Sequence, residues 1–279
     1  MIRKIFLRLR SYYHWLTDRK GYFLARQFGV RIPLFPLIFL PDGFTVRQAG
    51  DSGITIVDNF CTREEADYLI ELAKPKLRDS LITLNNTKIK DDYRTSKTAI
   101  VFEPNDQDPA ILPLLYRAGM LVGQPPTHVE TVFVTRYQAG EYYRPHEDYY
   151  EGFDGDRLYT VLIYLNDMGE EDGGGTVFEE LNVGVTPKLG RAVIWANQGP
   201  DGSVHPESRH EALPVAPGAE KWAIQLWFRN YKMINLPKSA IATPQTKMGK
   251  ALSGDEELPE GAWAPGDVAA DSPYGKAFE

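Results

Sequence analysis

Residues 158–165 read Leu158-Tyr-Thr-Val-Leu-Ile-Tyr-Leu165, an unbroken run of aliphatic, aromatic and β-branched side chains. A run of this length and composition is typical of a buried β-strand. Further runs of the same kind follow residue 130, at Val132–Tyr137, Thr176–Phe178, Ala192–Trp195 and Trp222–Phe228. Turns that contain glycine and proline, such as Gly173-Gly-Gly175 and Pro217-Gly218, separate these runs. Several short strands with frequent turns predict an antiparallel sandwich or barrel.

Two helices are predicted ahead of these strands. The first begins at Thr62-Arg-Glu-Glu65, which has the form of a capping box, and Pro75 weakens its end. The second begins after Asp108, with Pro109 at its first position. The apolar residues expected to face the core are Ala66, Leu69, Ile70, Ala73 and Leu77 in the first helix and Ile111, Leu115, Ala118 and Leu121 in the second. Helices followed by strands indicate an α+β fold, with the helices on one side of the sheet.

The two ends of the chain differ in charge from its middle. Residues 1–50 contain nine Lys or Arg against two acids, whereas residues 251–279 contain seven acids against one Lys. We therefore divide the chain into a basic helical extension (1–49), a folded domain (50–232) with its core at 130–232, and an acidic mobile tail (233–279). The basic end is expected to be a solvated helix face or to contact an anionic membrane surface or acidic partner.

Composition disfavours several classes of protein. The net charge of -7 argues against a general nucleic-acid-binding protein. Cys61 is the only cysteine, so neither an intrachain disulfide nor a cysteine-based zinc site can form. No stretch reaches the roughly 18–20 apolar residues that span a bilayer, and Arg8 and Arg10 interrupt any signal-peptide core. We expect a soluble, cytoplasmic protein without a transmembrane segment.

The segment His146-Glu-Asp148 places an imidazole and a carboxylate two residues apart. Residues i and i+2 of a strand point to the same face, so both side chains can bind one metal ion. His210 is a natural candidate for a third ligand from elsewhere in the fold. Two His and one Asp leave three coordination positions open, which is the arrangement of non-haem Fe(II) oxygenases.

Lys221 lies eleven residues after His210, across a turn at residues 216–218. If the two segments pair as a hairpin about that turn, His210 and Lys221 become neighbours on adjacent strands. A lysine inside a barrel is costly unless an anion meets it, and the far carboxylate of 2-oxoglutarate is such an anion. The alternative is a surface lysine on the outer face of the sheet.

The stretch from Tyr137 to Trp227 resembles the catalytic core of the prolyl 4-hydroxylase-like family of Fe(II)- and 2-oxoglutarate-dependent dioxygenases. The matching segments are Arg136–Asp148, Tyr159–Asp167, Gly174–Phe178, Lys188–Ala192 and His210–Val215, followed by Gly218 and Lys221-Trp222. Arg94–Lys97 and the capped helix also look like that family, so the resemblance covers roughly residues 50–232. It implies a double-stranded β-helix, or jelly-roll, core.

The resemblance also implies roles for particular residues and cosubstrates. The implied roles are iron binding by His146, Asp148 and His210, pairing of Lys221 with the C5 carboxylate of 2-oxoglutarate, a hydrogen bond from Tyr137 to that cosubstrate, and lining of its pocket by Tyr164. O₂ would be the other cosubstrate and ascorbate the reductant. The loop at 216–221 is one residue longer than the family's usual turn, and Lys221 would face the wrong side if the extra residue lay in the strand. His205, in a loop rich in glycine and proline, is a rival third ligand.

A prolyl residue of a peptide is the leading substrate by resemblance, and a lysyl residue, a free amino acid or another small molecule stays open. Two alternatives belong to other functional classes. One is a non-enzymatic barrel that binds a metal or ligand, and the other is a zinc hydrolase. A hydrolase needs a general base beside the metal, and Glu147 is expected to point away from the face of His146 and Asp148. Four nearby tyrosines are expected to form an aromatic substrate rim or to pack the sheet: Tyr142, Tyr143, Tyr149 and Tyr150.

Overall fold

The computed structural model describes residues 45–48, 53–84, 87–103, 108–149, 157–199, 202–230 and 232–233. The helices expected near the amino terminus, Tyr150, and residues 234–279 of the acidic tail lie outside the described residues. The boundaries proposed at 49/50 and 232/233 stay predictions, although a strand at Thr45–Gln48 already belongs to the main sheet.

Helix α1 spans Arg63–Ala73 and begins with the predicted capping box. The Thr62 backbone donates to Glu65 Oε2 (3.0 Å), and the Glu65 backbone donates to Thr62 Oγ1 (3.2 Å), so two donors at the helix start are satisfied. The helix ends where Pro75 enters a 3₁₀ turn at Lys74–Lys76. Ala66, Leu69 and Ala73 are buried, as predicted.

Helix α2 spans Leu112–Val122, after a 3₁₀ turn at Pro109–Ile111, and stops at Gly123, whose φ of 57° is left-handed. All eleven of its residues are buried, so the predicted apolar stripe was too narrow: this helix is covered on every side. Neither described helix is long and apolar enough to cross a membrane.

The described strands pair antiparallel throughout. They are β1 Thr45–Gln48, β2 Thr55–Asp58, β3 Arg78–Asp79, β4 Ile82–Leu84, β5 Thr87–Ile89, β6 Lys97–Phe102, β7 Val132–Tyr137, β8 Tyr143–His146, β9 Arg157–Tyr164, β10 Thr176–Phe178, β11 Val183–Val185, β12 Ala192–Ala196, β13 His210–Ala212 and β14 Lys221–Arg229. The major sheet has the order β1-β2-β12-β9-β14-β7-β6-β3, the minor sheet the order β11-β10-β13-β8, and β4 and β5 form a separate hairpin.

The major sheet is buried on both faces over its centre. One face packs against the helices, with α1 against β6 and β7 and α2 against β14. The opposite face of β2, β12, β9 and β14 packs against the minor sheet, through residues such as Leu162, Val193 and Phe178. The alternation of strand side chains therefore separates a helix-facing core from a second, smaller core between the sheets.

The predicted hairpin between β13 and β14 is wrong. His210 pairs with His146 across β13 and β8, whereas Lys221 pairs with Tyr137 across β14 and β7. The loop at 213–220 thus carries the chain from the minor sheet to the major sheet. The reason is burial: β14 is covered on both faces along nearly its whole length, and a strand of that kind needs a central position that a two-stranded hairpin does not provide.

Candidate active site

His146, Asp148 and His210 come together at one end of the minor sheet. His146 is the last residue of β8, Asp148 follows in the next loop, and His210 begins β13. One ligand atom from each lies within 4.8 Å of the other two. The carboxylate oxygens of Asp148 stand 3.8 Å from His146 Nε2 and 3.8 Å from His210 Nε2. The expected third residue is therefore brought to the other two by strand pairing.

Both imidazoles are held in the form that a metal ligand needs. Nδ1 of His146 lies 2.8 Å from the Arg144 carbonyl, and Nδ1 of His210 lies 2.9 Å from the Ser208 carbonyl. A carbonyl only accepts, so Nδ1 is the donor in both rings and Nε2 is the nitrogen that faces Asp148. Two imidazole Nε2 atoms and a carboxylate that converge on one point form a ligand set that fits a divalent cation.

The charges of the cluster agree with this fit. Burial lowers the pKa of His146 well below its usual value, and the nearby His210 lowers it further. Burial raises the pKa of Asp148, but His210, His146 and Arg157 outweigh burial and bring that pKa to about 2. Thr160 Oγ1 also donates to Asp148 Oδ2 (2.8 Å). At neutral pH, the cluster thus offers a neutral His146 and an ionised carboxylate.

Aromatic side chains fix the orientation of both histidine rings. Tyr143 stacks on His146 with centroids 3.5 Å apart and planes inclined by 17°. Trp195 contacts the ring of His210 at a centroid distance of 4.6 Å. Of the four tyrosines near the motif, Tyr143 and Tyr149 line the cavity described below.

Lys221 is buried, with 2% of its surface exposed, and its side chain lines the same cavity as the triad. The extra residue of the preceding loop therefore does not turn the lysine to the outer face. Its Nζ donates to the Gly174 carbonyl (2.6 Å), and the described part of the chain offers it no carboxylate within 4.0 Å. Burial lowers the pKa of Lys221 to about 7, so an anion that entered the cavity would favour its charged form.

The rings of both tyrosines assigned to the cosubstrate lie close to Lys221 Nζ, at 5.1 Å for Tyr137 and 5.3 Å for Tyr164, but only Tyr137 lines the cavity. Tyr164 is fully buried, and its hydroxyl oxygen lies 2.7 Å from Thr176 Oγ1 and 3.3 Å from the Val185 carbonyl. Thr176, rather than Tyr164, is among the residues that line the cavity.

A charged cluster that the sequence did not suggest borders the triad. Glu130 pairs with Arg157 (Nε to Oε1, 3.0 Å) and with Arg229. The Arg157 guanidinium lies 3.7 Å from the centroid of the Trp227 ring, and its Nη1 lies 3.4 Å from the Asp148 carbonyl. No local sequence pattern predicts this cluster, because Glu130 and Arg229 are 99 residues apart in sequence.

Arg94 is the other cation that sequence analysis did not assign to the site. The hydroxyls of Ser96, Thr98 and Thr135 lie 3.1–3.3 Å from its guanidinium nitrogens, and its Cζ lies 4.7 Å above the centre of the Tyr143 ring. The segment Arg94–Lys97 entered the sequence argument only through the family resemblance.

A single cavity of about 1210 Å³ contains the triad, Lys221 and the charged cluster.

Two residues that the sequence offered as a third metal ligand and as a general base have other contacts in the structure. His205 Nδ1 accepts from the Glu207 backbone (3.2 Å) at the start of a 3₁₀ turn and lies outside the three-residue cluster. The Glu147 carboxylate is turned toward Arg209 (Oε1 to Nη1, 3.2 Å), as predicted, although the residue is among those that line the cavity.

Comparison with known proteins agrees with the geometry. A family model described as the 2OG-Fe(II) oxygenase superfamily matches residues 132–229. The chain is 32% identical over 199 residues to probable prolyl 4-hydroxylase 10 of Arabidopsis thaliana, which covers 63% of this chain and 68% of that protein. The chain belongs to the prolyl 4-hydroxylase-like 2OG-Fe(II) oxygenases. Prolyl 4-hydroxylase 5 of the same plant is also 32% identical, over 197 residues, covering 62% of the oxygenase and 67% of the relative.

A solved structure supports the fold of the oxygenase. The viral collagen prolyl hydroxylase from Paramecium Bursaria Chlorella virus-1, crystallised as a 2OG complex, superposes with a TM-score of 0.51 at 26% identity. The match covers 63% of the oxygenase and 96% of the viral chain. The core is thus a double-stranded β-helix, as predicted.

Membership of the family also gives the cofactors. The oxygenase uses Fe(II), 2-oxoglutarate and O₂, and ascorbate is the typical reductant of prolyl hydroxylases. The chain is therefore a dioxygenase, and the expectations of a non-enzymatic barrel and of a zinc hydrolase are set aside.

Proposed function

We propose that this oxygenase hydroxylates a prolyl residue within a polypeptide, with Fe(II) bound by His146, Asp148 and His210. The observation that carries the proposal is the size and content of the cavity. Its volume of about 1210 Å³ exceeds the roughly 300–1,000 Å³ of ordinary small-molecule pockets. Space beyond the cosubstrate favours a polypeptide over a free amino acid, and the relatives named above are prolyl hydroxylases.

The iron site is prepared by groups of the chain itself. Hydrogen bonds from Nδ1 to the Arg144 and Ser208 carbonyls keep both Nε2 atoms free for the metal. The hydroxyl of Thr160 orients Asp148 by a hydrogen bond to Oδ2. When bound, Fe(II) with 2-oxoglutarate and O₂ supplies the oxidising chemistry, which yields succinate, CO₂ and a hydroxylated substrate.

Lys221 is proposed to hold the far carboxylate of 2-oxoglutarate. Its ammonium donates one hydrogen bond to the Gly174 carbonyl and has two further N–H groups to give. A buried cation without a carboxylate is unfavourable, and the cosubstrate would satisfy it by a charge-assisted bond. Tyr137, whose ring lies 5.1 Å from Nζ, is proposed to border the same carboxylate.

The surroundings of the triad suit a neutral, ring-shaped side chain. Tyr143 and Trp227 are aromatic residues that line the cavity, so apolar surface is available to a pyrrolidine ring. Arg94 and Arg157 bring positive charge close to the same place. A lysyl side chain would meet these cations, so electrostatic repulsion disfavours a lysyl substrate.

The experiment is hydroxylation of a proline-containing peptide by the full chain supplied with Fe(II), 2-oxoglutarate, ascorbate and O₂. Mass spectrometry of the peptide and assay of succinate give the two products. We expect both to form with the native chain and with the Lys74→Gln control, whose exposed side chain lies outside the cavity, and neither with Asp148→Ala. Hydroxylation of free proline or a lysyl peptide, with the prolyl peptide left unmodified, would contradict the proposal.

A further inference from the structure

The cavity continues past the triad over a part of the major sheet that the minor sheet does not cover. Residues that pack between the sheets come from β2, β9, β12 and β14 and from Tyr137 at the end of β7, whereas the beginning of β7 and the strand β6 lie beyond them in the major sheet. On that side, Phe133 of β7 contacts Trp227 of β14 with ring centroids 5.4 Å apart. Ile100 of β6 lies directly across from Phe133. Both residues line the cavity.

We call Ile100, Phe133 and Trp227 the apolar shelf. Ile100 is 43% exposed, which places it among the exposed large hydrophobic residues of the described chain, and it lies across from Phe133, whose ring contacts Trp227. Single exposed apolar residues need no explanation, but a contiguous group that lines a ligand cavity marks a binding surface. The shelf belongs to the same cavity as the triad, so whatever reaches the triad from this side passes over it.

Positive charge lies beyond the shelf. Arg78 of β3 and Lys88 of β5 line the cavity, and the salt bridges within the described ranges include neither residue. The neighbouring carboxylate of Asp79 is already engaged by Lys90 (2.5 Å). The outer edge of the shelf is therefore complementary to an acidic group.

The distances can be expressed as residues of a bound peptide. Trp227 is linked to the triad through Arg157, which contacts both its ring and the Asp148 carbonyl. Adjacent strands are about 4.8 Å apart, so Ile100 lies roughly 10 Å beyond Trp227 across two strand spacings, and Arg78 on the next strand roughly 15 Å. An extended peptide advances about 3.3 Å per residue, so these distances correspond to about three and about four to five residues.

We propose that the segment flanking the hydroxylated proline lies across β7 and β6, so that the enzyme selects substrates with a large apolar residue about three positions away and an acidic residue one or two positions further. This inference rests on the proposed function and narrows its substrate class. The apolar side chain covers the shelf, and the acidic one meets Arg78 and Lys88.

The test compares peptides of equal length that contain one proline. One has Leu and Asp at these offsets on both sides of the proline, a second has Ser in place of Leu, and a third has Ser in place of Asp. We expect kcat/KM for hydroxylation to fall about tenfold without Leu. It should fall about two- to fivefold without Asp, and that smaller effect should weaken at high salt.

Variants assign each preference to its surface. Ile100→Ser, or Ile100→Thr if the first variant does not fold, should remove the preference for Leu, and the double variant Arg78→Glu and Lys88→Glu should reverse the preference for Asp. Tyr68→Ser and Lys74→Glu are the matched controls, because these exposed residues of the helical side are not among those that line the cavity. Both controls should keep the native preferences.

The outcomes separate this inference from the function on which it rests. Equal kcat/KM for the three peptides, or a Leu preference that survives in Ile100→Ser and Ile100→Thr, overturns the shelf as a subsite while prolyl hydroxylation stands. Failure to hydroxylate any of the peptides, with succinate still formed on another substrate, overturns the proposed function and the inference together.

Discussion

The two faces of strand β14 differ in what they do for the molecule. Its helix-facing positions are Trp222, Ile224, Leu226 and Phe228, all of which lie in the main hydrophobic core. Its cavity-facing positions are Lys221, Ala223, Gln225, Trp227 and Arg229. Successive side chains of one strand thus contribute alternately to stability and to the site. Substitutions on the two faces are expected to separate folding from chemistry.

The largest expected effect comes from the cavity side, at Asp148→Asn. This change keeps the size of the side chain but removes the anionic ligand, so iron affinity should fall more than about 100-fold, beyond what loss of a supporting contact causes. Iron content after anaerobic dialysis and succinate formation measure the effect. An unchanged iron content would contradict the assignment of the ligand.

The helix face of β14 is tested by Ile224→Ala, which leaves a space in the main core. The free energy of unfolding should fall by about 2–5 kcal/mol, as measured by urea denaturation. At a temperature where the variant is folded, kcat should stay within about twofold of the native value. Loss of activity in fully folded protein would contradict the separation of stability and catalysis between the two faces of β14.

The opposite pattern is expected for Lys221→Met. The KM for 2-oxoglutarate should rise about 10- to 100-fold, because a hydrogen bond between charged groups is lost. The protein without cosubstrate should be about 1–3 kcal/mol more stable, because a buried cation without a carboxylate has been removed. Steady-state kinetics and denaturation measure the two quantities, and an unchanged KM would place the cosubstrate elsewhere.

The last expected effect is a dependence on pH, which is the smallest of the four within one pH unit of neutrality. The pKa of Lys221 is about 7 in the fold against an ordinary value of 10.5, so the unfolded chain binds one more proton between these values. The stability of the cosubstrate-free protein should therefore rise with pH across this window. Affinity for 2-oxoglutarate should fall by up to about tenfold per pH unit above 7. Titrations at several pH values check this, and Lys221→Met should abolish both trends.

The sequence predicted those elements whose pattern lies within a single continuous segment. The capping box before α1 and the long apolar strands β7, β9 and β14 are local patterns, and the structure contains each of them. The short strands β8 and β13 have three or four residues, among them Pro145 and charged side chains, so they present no clear periodicity.

The sequence could not predict which distant strands pair with each other. The turn before Lys221 suggested a hairpin, but burial of both faces of β14 places this strand between β9 and β7 instead. The cluster of Glu130, Arg157 and Arg229 likewise depends on strands that meet only in the folded sheet. The spacing of His146 and Asp148, in contrast, already brought two of the triad's three groups close together.

The central claim is that the triad and Lys221 serve oxidation of a prolyl residue in a polypeptide. The most direct measurement is turnover of a single-proline peptide under ¹⁸O₂, with succinate and peptide analysed by mass spectrometry. The account predicts one succinate for each hydroxylated peptide, with an oxygen atom from O₂ on the proline and no product from Asp148→Ala. Succinate formed without oxygen transfer to proline, or transfer to another residue of the peptide, would contradict it.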